Sequence, residues 1–242
     1  MFTTTINNSS PILIALDYSN LNEMLDFVDK IDPQYCRLKI GKEVFTRFGP
    51  SLIKNLQKKG FQIFLDLKFH DIPNTVARAV TAAAELGIWM VNIHAIGGIN
   101  MMISASKAIM KFGKDAPLLT AVTILTSISQ NDLKFIGIQL SLDQYVKKLA
   151  VLAQECGLNG IICSANQVKS LKKDLGKNFK IVVPGIRLSG DQKNDHCYVT
   201  TPLEAKNIGV DYMVIGRSIT NSKNPFDVLQ KILFELNIIK EL

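Results

Sequence analysis

Eight short apolar, β-branched runs recur along the whole chain with helical patterns between them, and this alternation constrains the fold more than any other feature. The runs are ILIALD (12–17), CRLKIG (36–41), QIFLDLK (62–68), MVNIHA (90–95), LLTAVTIL (118–125), GIICS (160–164), KIVVPGI (180–186) and YMVIGR (212–217). Near-continuous apolar runs of this length read as parallel strands buried on both faces. The clearest intervening helices are NTVARAVTAAAELG, SLDQYVKKLAVLAQECG and PFDVLQKILFELN, with apolar residues at three- and four-residue spacing. The first two close on glycine, a common helix stop. Eight β-then-α units in 242 residues predict an α/β fold of the (β/α)8 TIM-barrel type. The expected domain is single, spanning 1–242, with a polar N-terminal extension over 1–10. A doubly wound open sheet is the alternative. It would usually carry a Gly-rich turn after its first strand, and here that strand ends LDYSN.

Composition excludes other classes. No apolar run approaches the roughly 18 residues needed to span a membrane. The N-terminal MFTTTINNSS has no basic region leading into an apolar stretch, so a cytoplasmic location is the expectation. The net charge of +7 is spread along the chain without an arginine-rich or aromatic-interleaved segment. It reads as a match to an anionic small substrate, or as mere solubility, rather than as nucleic-acid binding. The four cysteines, Cys36, Cys156, Cys163 and Cys197, form no CxxC pair, which suggests neither zinc nor disulfides.

Barrel enzymes build their sites at the C-terminal ends of the strands. Polar residues gather there in this sequence: Asp17, Lys39, Asp66 and Lys68, Asn92 and His94, and Thr123 followed by Thr126 and Ser127. In FLDLKFHDIPNT, Asp66 and Lys68 are two apart and share a strand face. Facing inward they are costly to bury singly but persist as a pair. Lys39 approaches from the neighbouring strand. Asp71 lies past the strand, on extended backbone, because Pro73 turns Ile72 away from the helical region. On spacing alone, a salt-bridge network that only braces the barrel stays open beside a catalytic set. The chemistry open to such a set is narrow. A carboxylate beside an anionic substrate group repels it in the ground state, and an adjacent lysine stabilises and then protonates a carbanion. Two cations facing two anions leave little negative charge to hold a divalent metal, so a metal-free site is expected. At the ends of strands seven and eight, PGIR and GRSIT place a glycine beside an arginine. Loops in these positions often bind phosphate in barrels, with Arg187, Gly216 and Arg217 as the candidates here. Two long connections, about 126–139 and 187–200, read as binding loops or lids.

The motif D-x-K-x-x-D-I-P-N-T, with RLKIG, NIHAIGG, VTILTS, PGIR and VIGRSIT in order, resembles the orotidine 5′-phosphate decarboxylase family over nearly the whole chain. The resemblance implies a cofactor-free homodimer that converts orotidine 5′-phosphate to UMP and CO2, the last step of de novo pyrimidine synthesis. It implies a charged tetrad of Lys39, Asp66, Lys68 and Asp71. Lys68 would protonate C6 of the pyrimidine, and Asp66 would sit near the departing carboxylate. Asp71 and Thr75 would reach the partner's site. Asp17 and Lys39 would contact the ribose hydroxyls. Thr123 and Ser127 would lie near the pyrimidine, and Arg187, Gly216 and Arg217 would hold the phosphate. His70 falls between motif positions and is given no catalytic part.

One segment departs from the family. Where it usually has D-Q-x-R before A-T-P, this chain reads DHCYVTTP, so His196 stands for the Gln and Tyr198 for the Arg. An imidazole can also donate to phosphate, and His196 is carried as a candidate ligand. The same D-x-K-x-x-D motif occurs in magnesium-using relatives, the 3-keto-gulonate-phosphate decarboxylases and hexulose-phosphate synthases, which lack the lysine of RLKIG. A non-catalytic nucleotide-binding barrel is the other alternative, and it would be expected to have lost the tetrad.

Overall fold

The computed structural model describes residues 10–188 and 200–239. Eight parallel strands close in sequence order, and β1 pairs with β8 to complete the barrel. The strands are β1 (Ile12–Leu16), β2 (Arg37–Gly41), β3 (Ile63–Phe69), β4 (Met90–His94), β5 (Leu118–Val122), β6 (Gly160–Ile162), β7 (Lys180–Ile186) and β8 (Tyr212–Ile215). The helices are α1 (Leu21–Val28), α2 (Lys42–Lys58), α3 (Pro73–Glu85), α4 (Ile99–Met110), α5 (Gln130–Phe135), α6 (Leu142–Glu155), α7 (Ala165–Leu175), α8 (Pro202–Ile208), α9 (Arg217–Thr220) and α10 (Pro225–Glu235). The TIM barrel read from the alternation is therefore the observed architecture, and the open sheet is not. Among the described residues no helix is long and apolar enough to cross a membrane.

Two separate apolar cores follow from strand alternation. Outward strand residues such as Ile12, Leu38, Ile63, Val91 and Ile181 pack with the apolar faces of the helices. Inward residues Leu13, Ala15, Phe64, Met90, Val122, Ile162, Val182 and Val214 fill the barrel. Below this inner core Arg37 is buried, stacked over the Trp89 ring at 4.1 Å, and it donates to Gln62 at 2.7 Å. Ser10, the one described residue of the expected 1–10 extension, is buried there and accepts from Arg37. On β6, a Cβ at Gly160 would lie 2.3 Å from the Lys180 carbonyl oxygen, so only glycine allows β7 to approach this closely.

Local signals place the helices. Ser141 and Gln144 form a capping box at the start of α6, and Thr201 and Glu204 form one at α8. Pro73 opens α3 and holds Ile72 extended, at ψ 152°, as the sequence predicts. Besides small differences at other strand ends, such as β8 stopping at Ile215 rather than 217, three expectations need correction. β5 stops at Val122 rather than 125, and β6 has three residues rather than five. The reason is shared: Ser164 already precedes α7, so β6 offers nothing for a longer β5 to pair with. Third, the 126–139 connection carries a helix of its own, α5, started by a Ser129–Asp132 capping box.

Candidate active site

The inward alternation that fills the barrel continues past the apolar layer. One step beyond Arg37 on β2 is Lys39, and one step beyond Phe64 on β3 is Asp66. Both are 8 % exposed. They meet with Lys39 Nζ 3.4 Å from Asp66 Oδ2, while Lys68 Nζ lies 2.6 Å from Asp66 Oδ1. Lys39 Nζ also lies 3.5 Å from Asp17 Oδ1, just past the end of β1. Within one chain the charges therefore run Asp17, Lys39, Asp66, Lys68.

Asp66 is the centre of this row. Burial alone would raise its pKa. The positive charges of Lys39 and Lys68, with hydrogen bonds from Lys68 and Asn92, outweigh burial and hold the carboxyl below its usual range. Asp66 is thus an anion at neutral pH in a largely dry setting. Nearby at the end of β4, His94 takes the opposite course. Burial, then the repulsion of His70, Lys42 and Lys68, depress its pKa to about 4, so the ring is neutral. Its Nδ1 is buried without a hydrogen-bond partner, and its ring centroid lies 5.6 Å from that of His70.

A cavity of about 250 Å³ opens over this row. Asp17, Lys39, Asp66 and Lys68 line it from β1 to β3, and Arg187, Gly216 and Arg217 line it from the far side. Seven of the sequence-predicted residues thus share one cavity. Arg187 is buried and its backbone N–H donates to the Thr200 carbonyl at 3.1 Å. Gly216 precedes α9, and Arg217 begins it with an exposed side chain. Ala15, Phe64, Ile162 and Val214 supply an apolar wall. A second cavity of about 170 Å³ shares Pro184 and Gly185 with the first and is lined by Ile124, Thr126 and Ile128 of the β5 connection.

Other predicted residues are placed differently. Thr123 is fully buried, and its hydroxyl donates to the Ile162 carbonyl at 3.1 Å, joining β5 to β6. Ser127 is exposed in the turn beside the second cavity. Asp71 and Thr75 are exposed outside the barrel mouth, and the Asp71 carboxylate accepts from the next residue's N–H at 2.6 Å. His196 and Tyr198 lie outside the described residues.

The sequence reading gave Asn92 no role, yet it is fully buried and bonds both Asp66 and Lys68. Its signal was present: a polar residue at an inward position of an otherwise apolar strand. The meeting of Asp66 with Lys68 also has a cause that spacing did not show. Lys68 has φ 52°, and the β3–β4 register shifts between Leu65 and Phe69, so a bulge aims the lysine rather than a regular pleat.

Comparison with known proteins agrees with this geometry. The profile of the orotidine 5′-phosphate decarboxylase / HUMPS family matches residues 10–232. Orotidine 5′-phosphate decarboxylase of Shewanella sediminis is 54% identical over 231 residues, covering 96% of this chain and 99% of that protein. The enzyme of the same name from Klebsiella pneumoniae is 54% identical over 229 residues, covering 95% and 94%. The crystal structure of orotidine 5′-phosphate decarboxylase from Lactobacillus acidophilus superimposes with a TM-score of 0.85 at 38% identity, covering 94% of this chain and 99% of that one. The chain belongs to the orotidine 5′-phosphate decarboxylase family.

Proposed function

We propose that this chain decarboxylates orotidine 5′-phosphate to UMP and CO2, closing pyrimidine nucleotide synthesis, with Asp66 and Lys68 at the reacting carbon. The observation that carries this reading is the ionised, buried Asp66 carboxylate held 2.6 Å from Lys68 Nζ in a cavity whose opposite side is lined by two arginines. The 5′-phosphate sits with Arg187, Gly216 and Arg217, whose guanidinium groups suit a bidentate grip on an oxyanion. Asp17 and Lys39 take the ribose hydroxyls. Thr123 and Ser127 belong to the segment beside the pyrimidine, and His196 is a further candidate for the phosphate.

Binding energy from the phosphate holds the substrate carboxylate against Asp66, a repulsion relieved as CO2 departs. The C6–carboxylate bond breaks and its electron pair remains on C6. The Lys68 ammonium stabilises that charge and gives it a proton, then regains one from water. The lysines already compensate the carboxylates, so we assign the site no metal.

Two copies complete the site. Asp71 is exposed outside the barrel mouth, and the exposed Ile72, Ile96 and Ile99 lie on the loops and helix start after β3 and β4. Exposed isoleucines and an exposed carboxylate after these strands fit a homodimer in which Asp71 and Thr75 enter the partner's site. Buried free Cys36, Cys156 and Cys163 fit a reducing cytoplasm.

The test is turnover of orotidine 5′-phosphate, followed by absorbance, with and without EDTA. Full activity in both is expected. A folded protein without turnover overturns the function, and a requirement for added magnesium overturns the metal-free site. For the dimer, inactive Asp71→Ala and Lys68→Ala proteins are mixed under exchange. Hybrid dimers hold one intact site, so about a quarter of wild-type activity returns. No recovery despite exchange overturns the shared site.

A further inference from the structure

The β3 bulge is unusually wide. Leu65 pairs with Val91, and the next registered pair is Phe69 with Ile93. Asp66, Leu67 and Lys68 therefore all lie opposite one β4 residue, Asn92. A stretch so far out of register loses its regular ladder partners, and its backbone groups need others. The Asn92 side chain provides them. Its Oδ1 accepts from the Lys68 backbone N–H at 2.7 Å, and its Nδ2 donates to Asp66 Oδ1 at 2.7 Å. The same Asp66 oxygen receives Lys68 Nζ. These partners also fix which end of the amide points where, since the N–H requires an acceptor and the carboxylate a donor.

Lys68 sits at φ 52°, a left-handed conformation that a lysine holds only when its surroundings impose it. Asn92 is fully buried and does not line the cavity, so it has no route to substrate except through its two partners. An aspartate here would oppose the Asp66 carboxylate. A leucine would fill the space and satisfy neither partner.

We propose that Asn92 is a positioning residue for the decarboxylation: one neutral amide clamps the Asp66 carboxylate to the Lys68 backbone and so sets the direction from which the ammonium meets C6. The inference rests on the roles given to Asp66 and Lys68 above. The titratable groups around Asn92 are Asp66 and Lys68 on β3, Lys39 on β2 through Asp66, and His94 two residues further along β4.

Asn92→Leu and Asn92→Asp in the full chain test it, with UMP affinity as the measure of an intact phosphate grip. For Asn92→Leu, kcat falls about tenfold to a hundredfold while KM and UMP affinity stay within about threefold. Asn92→Asp carries a second signature. Two carboxylates sharing a site push one pKa up, and the protonated acid reproduces both contacts of the amide. Its kcat relative to wild type therefore climbs as pH falls from about 8 to about 5, while the ratio for Asn92→Leu stays flat. A leucine variant with kcat within about threefold of wild type overturns the proposal, as does an aspartate variant whose ratio ignores pH. Should the leucine variant fail to fold, the isosteric aspartate decides. Wild type that does not decarboxylate, or Lys68→Ala that still turns over, sinks the underlying reading instead. Normal Asn92 variants beside an inactive Lys68→Ala sink only this inference.

Discussion

The barrel has two register shifts, on opposite sides of its mouth, and they are built differently. On β7 the shift falls between Pro184 and Ile186. It turns at Gly185, φ 78°, a conformation that costs glycine almost nothing. On β3 the comparable turn is made by Lys68 at φ 52°. Among the described residues the only other non-glycine at positive φ is Asn237, and asparagine tolerates that region better than lysine does. Both bulges line the cavity. At β7 the backbone itself forms the wall, so the side chain is dispensable. At β3 the proposed mechanism needs the ammonium, so the strain is kept and Asn92 braces it. A non-glycine at positive φ inside a site is thus a pointer to a side chain whose chemistry outweighs its conformational cost.

The largest effects should separate the two sides by kinetic parameter. Lys68→Ala removes the proposed proton donor and should lower kcat by about a thousandfold or more. Arg217→Ala on the other side should raise KM about tenfold to a hundredfold, as expected for a lost charged hydrogen bond, with a smaller loss in kcat. Steady-state kinetics at saturating and limiting substrate read both. Equal losses in kcat and kcat/KM are expected for Lys68→Ala, and the same pattern from Arg217→Ala would erase the contrast.

A middle-sized effect concerns the backbone. Gly185→Ala forces a Cβ into positive φ and should cost about 1–2 kcal/mol. In a domain of this size the melting temperature should drop by about 2–4 °C per kcal/mol. An unchanged melting temperature would mean that the β7 bulge can relax and that the two bulges differ less than their angles suggest.

The smallest effect is in acid, on the β3–β4 side alone. His94 titrates near 6.5 when unfolded and at about 4 when folded, first because it is buried and then because His70, Lys42 and Lys68 repel its charge. Between those values the unfolded chain binds a proton that the folded one refuses. The contribution of His94 is therefore full above pH 6.5 and is lost as pH falls toward 4. Asp66 acts lower, since its folded pKa lies below the ordinary carboxylate value and its contribution disappears only as pH falls through it. His94→Gln should flatten the fall in melting temperature between about pH 6.5 and 4.5 and leave the steeper acid fall in place. An identical profile would show that the ring is open to protons in the folded state.

Much of the site was legible because its signals are local. A charge inside an apolar strand run is conspicuous, and Asp66, Lys68 and Lys39 stood out on that ground. The helix starts at Pro73 and Ser141 follow from side chains within a few residues of the backbone they cap. Asn92 also stood out as polar but carried no role, because its partners are 24 and 26 positions away. The shortness of β5 was hidden for the same reason: it depends on where β6 ends.

By itself the sequence determined the alternation of strand and helix, and with it the barrel, since apolar period and turn residues act on the chain locally. It also determined which charges are carried to the strand ends. Register was decided only by the tertiary structure, because pairing is a property of two strands and not of either one. That register placed three β3 residues against Asn92, turned Lys68 into a left-handed conformation, and left Asp71 exposed beyond the strand.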